Sequence, residues 1–201
     1  MITNDELKER KKAIGSAIIK VLSEKNKRYG NAALEPINVF YKGDASNSIL
    51  IRLDDKLQRI INHCAETSNS MSLPEFRKND MFDLLGYCIL LSISKNFSYA
   101  IAEKDPHASS SDEPNKEFVD NVKSVVNTIF KRITNIKFNS NSINLSHPNV
   151  KFLIEFEEVI NRIKVNENND NSFEELILTL MELIWNYFII YNITDFDDLI
   201  D

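Results

Sequence analysis

One segment of the sequence, RKNDMFDLLGYCILLSISK from Arg77 to Lys95, combines a long apolar run with two carboxylates at its start. Asp80, Asp83 and Tyr87 are spaced i, i+3 and i+7, so a helix would place them on one face. Two acids at the start of such an apolar helix are costly to desolvate unless a cation compensates them. We therefore expect a metal ion or an arginine nearby. The alternative is that both acids only favour the positive end of the helix dipole.

The scarcity of glycine and proline, 4 and 5 in 201 residues, indicates a helical chain, because these residues mark the turns between strands. Apolar residues recur at helical spacing in six segments. They predict helices over residues 5–28, 48–64, 79–96, 114–136, 149–165 and 172–193. The predicted fold class is therefore all-α, with a structured loop or short turn over 31–47 and a polar linker over 105–114.

Charge is unevenly spread along the chain. Residues 1–109 carry 16 Lys and Arg against 14 Asp and Glu, whereas residues 110–201 carry 8 against 16. Affinity for nucleic acid depends on basic side chains that neutralise phosphates, so we do not expect direct nucleic-acid binding. A small anionic ligand would still suit the first part of the chain.

Composition also predicts the compartment. The most apolar run, residues 176–193, is interrupted by Glu182, Asn186 and Asn192, and no apolar segment follows the N-terminus. Both observations favour a core helix over a membrane span. Cys64 and Cys88, the two cysteines, lie in apolar helical patterns, which predicts buried free thiols in a reducing, cytoplasmic environment.

The helix predicted over 48–64 carries charges opposite its apolar stripe of Leu50, Leu53, Leu57, Ile60, Ile61 and Cys64. Arg52, Asp55 and Arg59 are spaced i, i+3 and i+7, which is typical of a solvated face with ion pairs at helical spacing. A second interpretation is that this helix packs antiparallel to the next one, so that Asp54 and Asp55 meet the acids of that helix. The residues alone leave both interpretations open.

Three blocks in order, YGNAALEPINVFYKGD at 29–44, IRLDDKLQRI at 51–60 and RKNDMFDLLGYCILL at 77–91, resemble a known family. They are similar to the nucleotide-modification-associated domain of phages and bacteria, a divergent relative of the MazG-like all-α nucleoside triphosphate pyrophosphatases. The resemblance covers roughly residues 25–100. The related enzymes hold magnesium with paired acids on two helices, bind a nucleoside triphosphate, activate water and release pyrophosphate.

By position, Asp80-x-x-Asp83 resembles the second acidic motif of those enzymes, E-x-x-D, with Asp in place of Glu. Their first motif, E-E-x-x-E, is not present, since the corresponding helix offers Asp54 and Asp55 followed by Lys56. The resemblance implies Asp55, Asp80 and Asp83 as catalytic residues that ligate Mg²⁺, or Mn²⁺ in its place, with Asp54 as a supporting ligand. Water and phosphate oxygens would complete the shell of one octahedral ion.

Further side chains are expected to contact the nucleotide. Lys56 and Arg59 are one turn apart and suit phosphate oxygens, arginine through its fork and lysine as a point charge. Their alternative is pairing with Asp55 along the helix. The residues expected on base or ribose, or beside the acids, are Tyr29, Asn31, Lys42 and Tyr87. For Tyr29, packing at the helix end is the alternative.

The resemblance implies a nucleotide-binding helical core at residues 1–105 and leaves residues 115–201 as an acidic helical region that covers this core or forms a homodimer surface. The leading hypothesis is a cytoplasmic metal-dependent nucleoside triphosphate pyrophosphohydrolase. The alternative, favoured by the incomplete first motif, is a protein that binds or sequesters a nucleotide without hydrolysis in phage–host defence or counter-defence. A third hypothesis is an interaction module on an inactive core, with the acids paired to Arg52 or Arg59.

Overall fold

The computed structural model describes residues 3–36, 43–66, 76–102, 115–134, 148–166 and 170–199. Over these residues the chain is all-α, which confirms the predicted fold class, and no strand is present in them. The helices are α1 (Asn4–Tyr29), α2 (Ala45–Glu66), α3 (Phe76–Ser94), α4 (Lys116–Thr134), α5 (Pro148–Asn166) and α6 (Asp170–Ile190), followed by a 3₁₀ turn at Asp197–Leu199.

Side-chain caps determine where α1 and α2 begin. The Thr3 hydroxyl accepts a hydrogen bond from the Glu6 amide at 3.2 Å, and the Glu6 carboxylate accepts one from the Thr3 amide at 2.8 Å. This is a reciprocal capping box, and its backbone and side-chain hydrogen bonds from Thr3 lower the pKa of Glu6. Asp44 caps α2 by accepting from the Asn47 amide at 2.7 Å. The helix therefore begins directly after Asp44, one turn before the predicted start at Ser48.

Left-handed residues end three of the helices. Gly30 follows α1 with φ of 59°, and the helix ends at Tyr29, one residue after its predicted end. Asn96 and Asn192 adopt φ of 53° and 54° after α3 and α6. After each asparagine, the next amide bonds back to the carbonyl five residues earlier, at 3.0 Å and 2.9 Å. Asparagine tolerates this conformation, so both helices end two or three residues before their predicted ends.

The chain forms two compact units, each described by itself. Unit 1 consists of Met1–Ser16 and Val126–Asp195, and unit 2 consists of Ala17–Val125 and Phe196–Asp201. Each unit takes residues from both sides of the predicted linker at 105–114. Neither unit coincides with the segments 1–105 and 115–201, and the functional roles expected of those segments stay predictions.

In unit 1, α6 packs against α5 and supplies most of the apolar core. Its buried side chains include Leu176, Ile177, Leu180, Met181, Ile184, Trp185 and Phe188. The prediction of a core helix in this run is confirmed by that burial. Among the helices of the described ranges, none combines enough length with enough apolar sequence to cross a bilayer.

In unit 2, α3 is buried on most of its surface, as expected of a helix that is apolar nearly all round. Its buried side chains include Met81, Phe82, Leu84, Leu85, Cys88, Ile89, Leu91, Ser92 and Ile93. Cys88 is a free thiol, as predicted, and burial raises its pKa. The Cys64 side chain lies outside the described residues.

Two helical glycines provide a matched test of packing. A Cβ on Gly15, in unit 1, would lie 3.3 Å from both the Trp185 ring and a Val126 methyl, and both side chains are buried. Alanine gains about 1 kcal/mol of helix propensity, but overpacking costs about 1–3 kcal/mol. We expect Gly15→Ala to lower the free energy of unfolding by about 1 kcal/mol. Denaturation by urea measures this change.

The control is Gly86→Ala in unit 2. There the added Cβ would meet a terminal methyl of Leu22 at 3.3 Å, which a flexible side chain can withdraw. We expect the free energy of unfolding to stay the same or to rise, because the helix-propensity gain is retained. Equal losses in the two variants would contradict this account of their packing.

Candidate functional site

Both acids of α3 lie beside cations in unit 2. Asp80 Oδ1 is 3.5 Å from Lys56 Nζ and 3.4 Å from an Arg59 guanidinium nitrogen. Asp83 Oδ2 is 2.7 Å from Lys56 Nζ, and its Oδ1 is 3.5 Å from Lys25 Nζ. We call these five side chains the charge cluster. The sequence predicts a metal ion or an arginine beside the α3 acids: Arg59 contacts Asp80, but the cation that contacts both acids is a lysine, Lys56.

Burial makes Lys56 the central member of the charge cluster. The exposed fractions of the Lys56, Asp80 and Asp83 side chains are 16%, 11% and 29%, whereas that of Arg59 is 64%. Partly buried charges are desolvated, so removing one partner leaves an uncompensated charge. Exposed ion pairs contribute little because water and salt screen them. Lys56 should therefore contribute much more than Arg59.

The orientation of α2 explains why Lys56 lies there. Its buried positions are Ile49, Leu53 and Ile60, while Ile61 is half exposed, so the predicted stripe through Leu50, Leu57 and Ile61 is rotated. Residues 49, 53, 56 and 60 follow i, i+4, i+7 and i+11, a single helical face. Lys56 therefore lies on the inward stripe, toward α3, with its ammonium at the carboxylates.

The same rotation places Asp54 and Asp55 on the exposed side of α2. The structure does not bring them to Asp80 and Asp83. Within the described part of the chain, no group of three or more His, Cys, Asp or Glu side chains is arranged to hold a metal. The charge cluster supplies ammonium groups to both α3 acids and a guanidinium to Asp80, and the predicted Mg²⁺ or Mn²⁺ site stays a prediction.

A pocket of about 560 Å³ adjoins the charge cluster in unit 2. This volume lies within the range typical of small-molecule sites, about 300–1,000 Å³. Its polar lining consists of Lys25, Asn26, Tyr29, Ser48, Arg52, Asp83 and Tyr87. Its apolar lining includes Leu22, Ile49, Phe82, Leu90 and Phe118. The lining therefore combines apolar walls with a small number of polar groups, two of which belong to the charge cluster.

Among the charged groups of the pocket lining, two cations, Lys25 and Arg52, outnumber the one acid, Asp83. Arg52 lies with its guanidinium carbon 6.0 Å from the ring centroid of Tyr87, a cation–π arrangement. No carboxylate pairs with Arg52 among the residues that the structure describes. Asp83, the acid in the lining, contacts both Lys56 and Lys25. The pocket thus has an excess of positive charge available to a ligand.

The expected nucleotide contacts have different positions. Tyr29, which is 62% exposed, and Tyr87 line the pocket. Asn31 does not line it, and its amide donates a hydrogen bond to Glu35 at 2.8 Å. Lys42 lies outside the described residues. Lys56 and Arg59 contact the acids of α3, not Asp55.

Sequence reasoning missed Lys25 and Arg52 as candidate pocket residues. On α1, the pocket-lining residues are Leu22, Lys25, Asn26 and Tyr29, which follow i, i+3, i+4 and i+7. Because Tyr29 was already a candidate, this spacing indicates Lys25 as its neighbour on the same face. No comparable local signal distinguishes Arg52, whose role depends on its position above a ring from another helix.

No family model matches this chain, and neither does any curated protein or solved structure. The chemistry of the site follows from its residues. Lysine and arginine attract an anion, tyrosine rings and apolar walls suit a flat organic group, and tyrosine hydroxyls and Asn26 offer hydrogen bonds. A small anionic ligand with a ring would match this combination.

The dominance of Lys56 in the charge cluster is testable. Lys56→Met should lower the free energy of unfolding by about 1–3 kcal/mol, because two partly buried carboxylates lose their shared cation. Arg59→Met removes a mostly exposed cation and should cost at most about 1 kcal/mol. Urea denaturation at neutral pH compares the two.

In the Lys56→Met background, Asp83→Asn should restore part of the lost free energy of unfolding, because it removes one of the two uncompensated carboxylates. A double-mutant cycle measures this coupling. Equal losses from both lysine and arginine variants would refute this ranking.

Proposed function

We propose that unit 2 binds a nucleotide in the pocket beside the charge cluster, without metal-dependent hydrolysis. The observation that carries this proposal is Arg52, which lies over Tyr87 at the pocket wall without a carboxylate partner in the described ranges. A guanidinium in this position is available to a phosphate, and its planar fork suits phosphate oxygens. The resemblance to nucleotide-modification-associated domains supports the same ligand class.

The charge of the lining supports an anionic ligand. Lys25 and Arg52 bring two positive charges to the pocket, and Asp83 brings one negative charge. Lys56 contacts Asp83 at 2.7 Å from outside the lining, so that carboxylate is already compensated. A phosphate chain would therefore meet a net positive field, which strengthens binding and speeds association.

The rings and apolar walls support a base-containing ligand. Tyr29 and Tyr87 offer aromatic faces and hydroxyl groups, and Phe82 and Phe118 contribute to the apolar wall. Stacking on such rings is tolerant of base identity, since every base has a flat face. In this proposal the phosphates lie toward Lys25 and Arg52, and the base stacks on Tyr29, because Arg52 lies over the Tyr87 ring.

Binding without hydrolysis is supported by the acids. Hydrolysis of a phosphoanhydride by this class of enzyme needs a carboxylate-held metal that positions and activates water. Asp80 and Asp83 instead contact Lys56, while Asp54 and Asp55 are exposed on α2. The pyrophosphohydrolase, and its Mg²⁺ or Mn²⁺, stay predictions that the same experiment tests.

The experiment titrates the purified protein with each ribonucleoside and deoxyribonucleoside triphosphate by calorimetry, in EDTA and in Mg²⁺. Pyrophosphate is assayed in parallel. We expect saturable binding in EDTA and no pyrophosphate release in either buffer. If none of the nucleotides binds, the proposal is overturned. Mg²⁺-dependent release of pyrophosphate that Asp83→Asn abolishes would establish the hydrolase instead.

Two substitutions separate these functions. Arg52→Ala removes a charge-assisted contact to phosphate, so we expect nucleotide affinity to fall by about tenfold or more. Asp83→Asn removes the acid from the lining and releases Lys25 and Lys56, so binding should become about threefold to tenfold tighter. Under the hydrolase hypothesis, Asp83→Asn would instead remove a metal ligand and abolish turnover.

The matched control is Arg59→Ala. This arginine is 64% exposed and does not line the pocket, although it carries the same charge on the same helix as Arg52. Its removal should leave nucleotide affinity unchanged. A loss equal to that of Arg52→Ala would mean that net charge, and not the pocket, governs binding.

A further inference from the structure

The segment that follows α6 contributes to unit 2 through a buried ring. Phe196 is 1% exposed, and its ring centroid lies 4.6 Å from that of Phe82. The two rings are tilted by 40°. Phe82 is itself buried and lines the pocket, directly before Asp83 on α3. Phe196 therefore supports the pocket wall from behind.

Two ion pairs flank this ring contact. Asp197 Oδ1 lies 2.7 Å from Lys20 Nζ on α1. The Asp198 carboxylate oxygens lie 2.7 Å and 2.8 Å from Lys78 Nζ on α3. Both helices also line the pocket. We call Phe196, Asp197 and Asp198 the tail clamp.

Resting on the nucleotide-binding function proposed above, we propose that Phe196 is a positioning residue of the pocket and that docking of the tail clamp is coupled to ligand binding. Phe196, which does not line the pocket, packs on Phe82, which does. When the clamp opens, the Phe82 wall loses its backing and the adjacent Asp83 loses its fixed position. Nucleotide binding should therefore favour the docked tail, and the docked tail should favour binding.

The small size of the tail clamp makes such an opening accessible. Its contacts include one buried ring and two ion pairs, in which the Asp197 and Asp198 side chains are 74% and 50% exposed and their partners Lys20 and Lys78 are 54% and 16% exposed. The Lys20–Asp197 pair is exposed and screened by salt, so it contributes little, whereas the shielded Lys78 ammonium gives the Lys78–Asp198 pair a larger share of the attachment beside the ring. Segments with few buried contacts open locally without global unfolding. The Leu199 amide, bonded to the Phe196 carbonyl at 3.0 Å, reports that opening by hydrogen exchange.

The test measures nucleotide affinity and tail protection in the same variants of the full chain. The probes are ATP, GTP, CTP and UTP, titrated singly in EDTA. We expect Phe196→Ala to weaken nucleotide binding by about tenfold, and we expect Phe196→Leu to bind nearly as tightly as wild type. The reason is that the apparent affinity is proportional to the fraction of molecules whose tail is docked. The double variant Asp197→Asn/Asp198→Asn, which leaves the core ring intact, should weaken binding about threefold.

Reciprocity provides a readout that a merely structural role would not change. A nucleotide that binds the docked state more tightly than the undocked state should slow hydrogen exchange at the Leu199 amide. The ratio of exchange rates without and with nucleotide should equal the ratio of the affinities of the docked and undocked states. Asp120→Asn is the control, since it breaks the exposed Asp120–Lys123 pair of α4 and removes one negative charge, as each substitution of the double variant does. It should change neither affinity nor tail exchange.

The outcomes are distinguishable. If wild-type protein binds none of the four nucleotides, both the proposed function and the coupling fail. If wild-type protein binds but the double variant and Phe196→Ala bind equally well, with tail exchange unaffected by ligand, only the coupling fails. Should Phe196→Ala not fold, the double variant and the exchange of Leu199 decide the question.

Discussion

The contact of one lysine with two aspartates is the constraint on which the rest of unit 2 depends. Lys56 Nζ lies 2.7 Å from Asp83 and 3.5 Å from Asp80, with all three side chains largely shielded from water. Charges in such a position must be compensated, so α2 and α3 can pack closely only in the rotation that brings this lysine inward. That rotation in turn places Asp54 and Asp55 in solvent and turns Arg52 toward the pocket.

The rotation of α2 determines which charged side chains lie at the pocket. Three cations surround two carboxylates in the charge cluster, and Arg52 adds a further cation at the pocket wall. An internal ammonium neutralises an acid pair as a divalent ion would, but it leaves no open coordination position for a phosphate. In the proposed function, phosphate recognition falls to Lys25 and Arg52. The pocket is suited to holding an anion, whereas a metal-based site would be suited to activating water on one.

Much of this fold follows from local pattern, and the site follows from it only in part. The all-α class, the capping box at Thr3 and the buried face of α3 are encoded within single helices, where spacing determines the outcome. The rotation of α2 about its own axis is not encoded within that helix. Its apolar residues span a wide arc, since each residue turns the helix by about 100°, so several faces could be buried. Packing against α3 buries Ile49 and leaves Ile61 half exposed. Arg52 was missed for the same reason.

One turn of α3 connects stability with binding. Lys56 holds Asp80 and Asp83 from α2, Lys25 approaches Asp83 from α1, and Phe196 packs on Phe82 between these acids. A buried lysine–aspartate group is a poor device for stability alone, since well-packed apolar side chains of similar volume often stabilise a fold equally or better. Local rules are most often broken where a site has another use. The charge cluster breaks such a rule in the wall of a pocket, which favours ligand binding over packing as the reason for its presence.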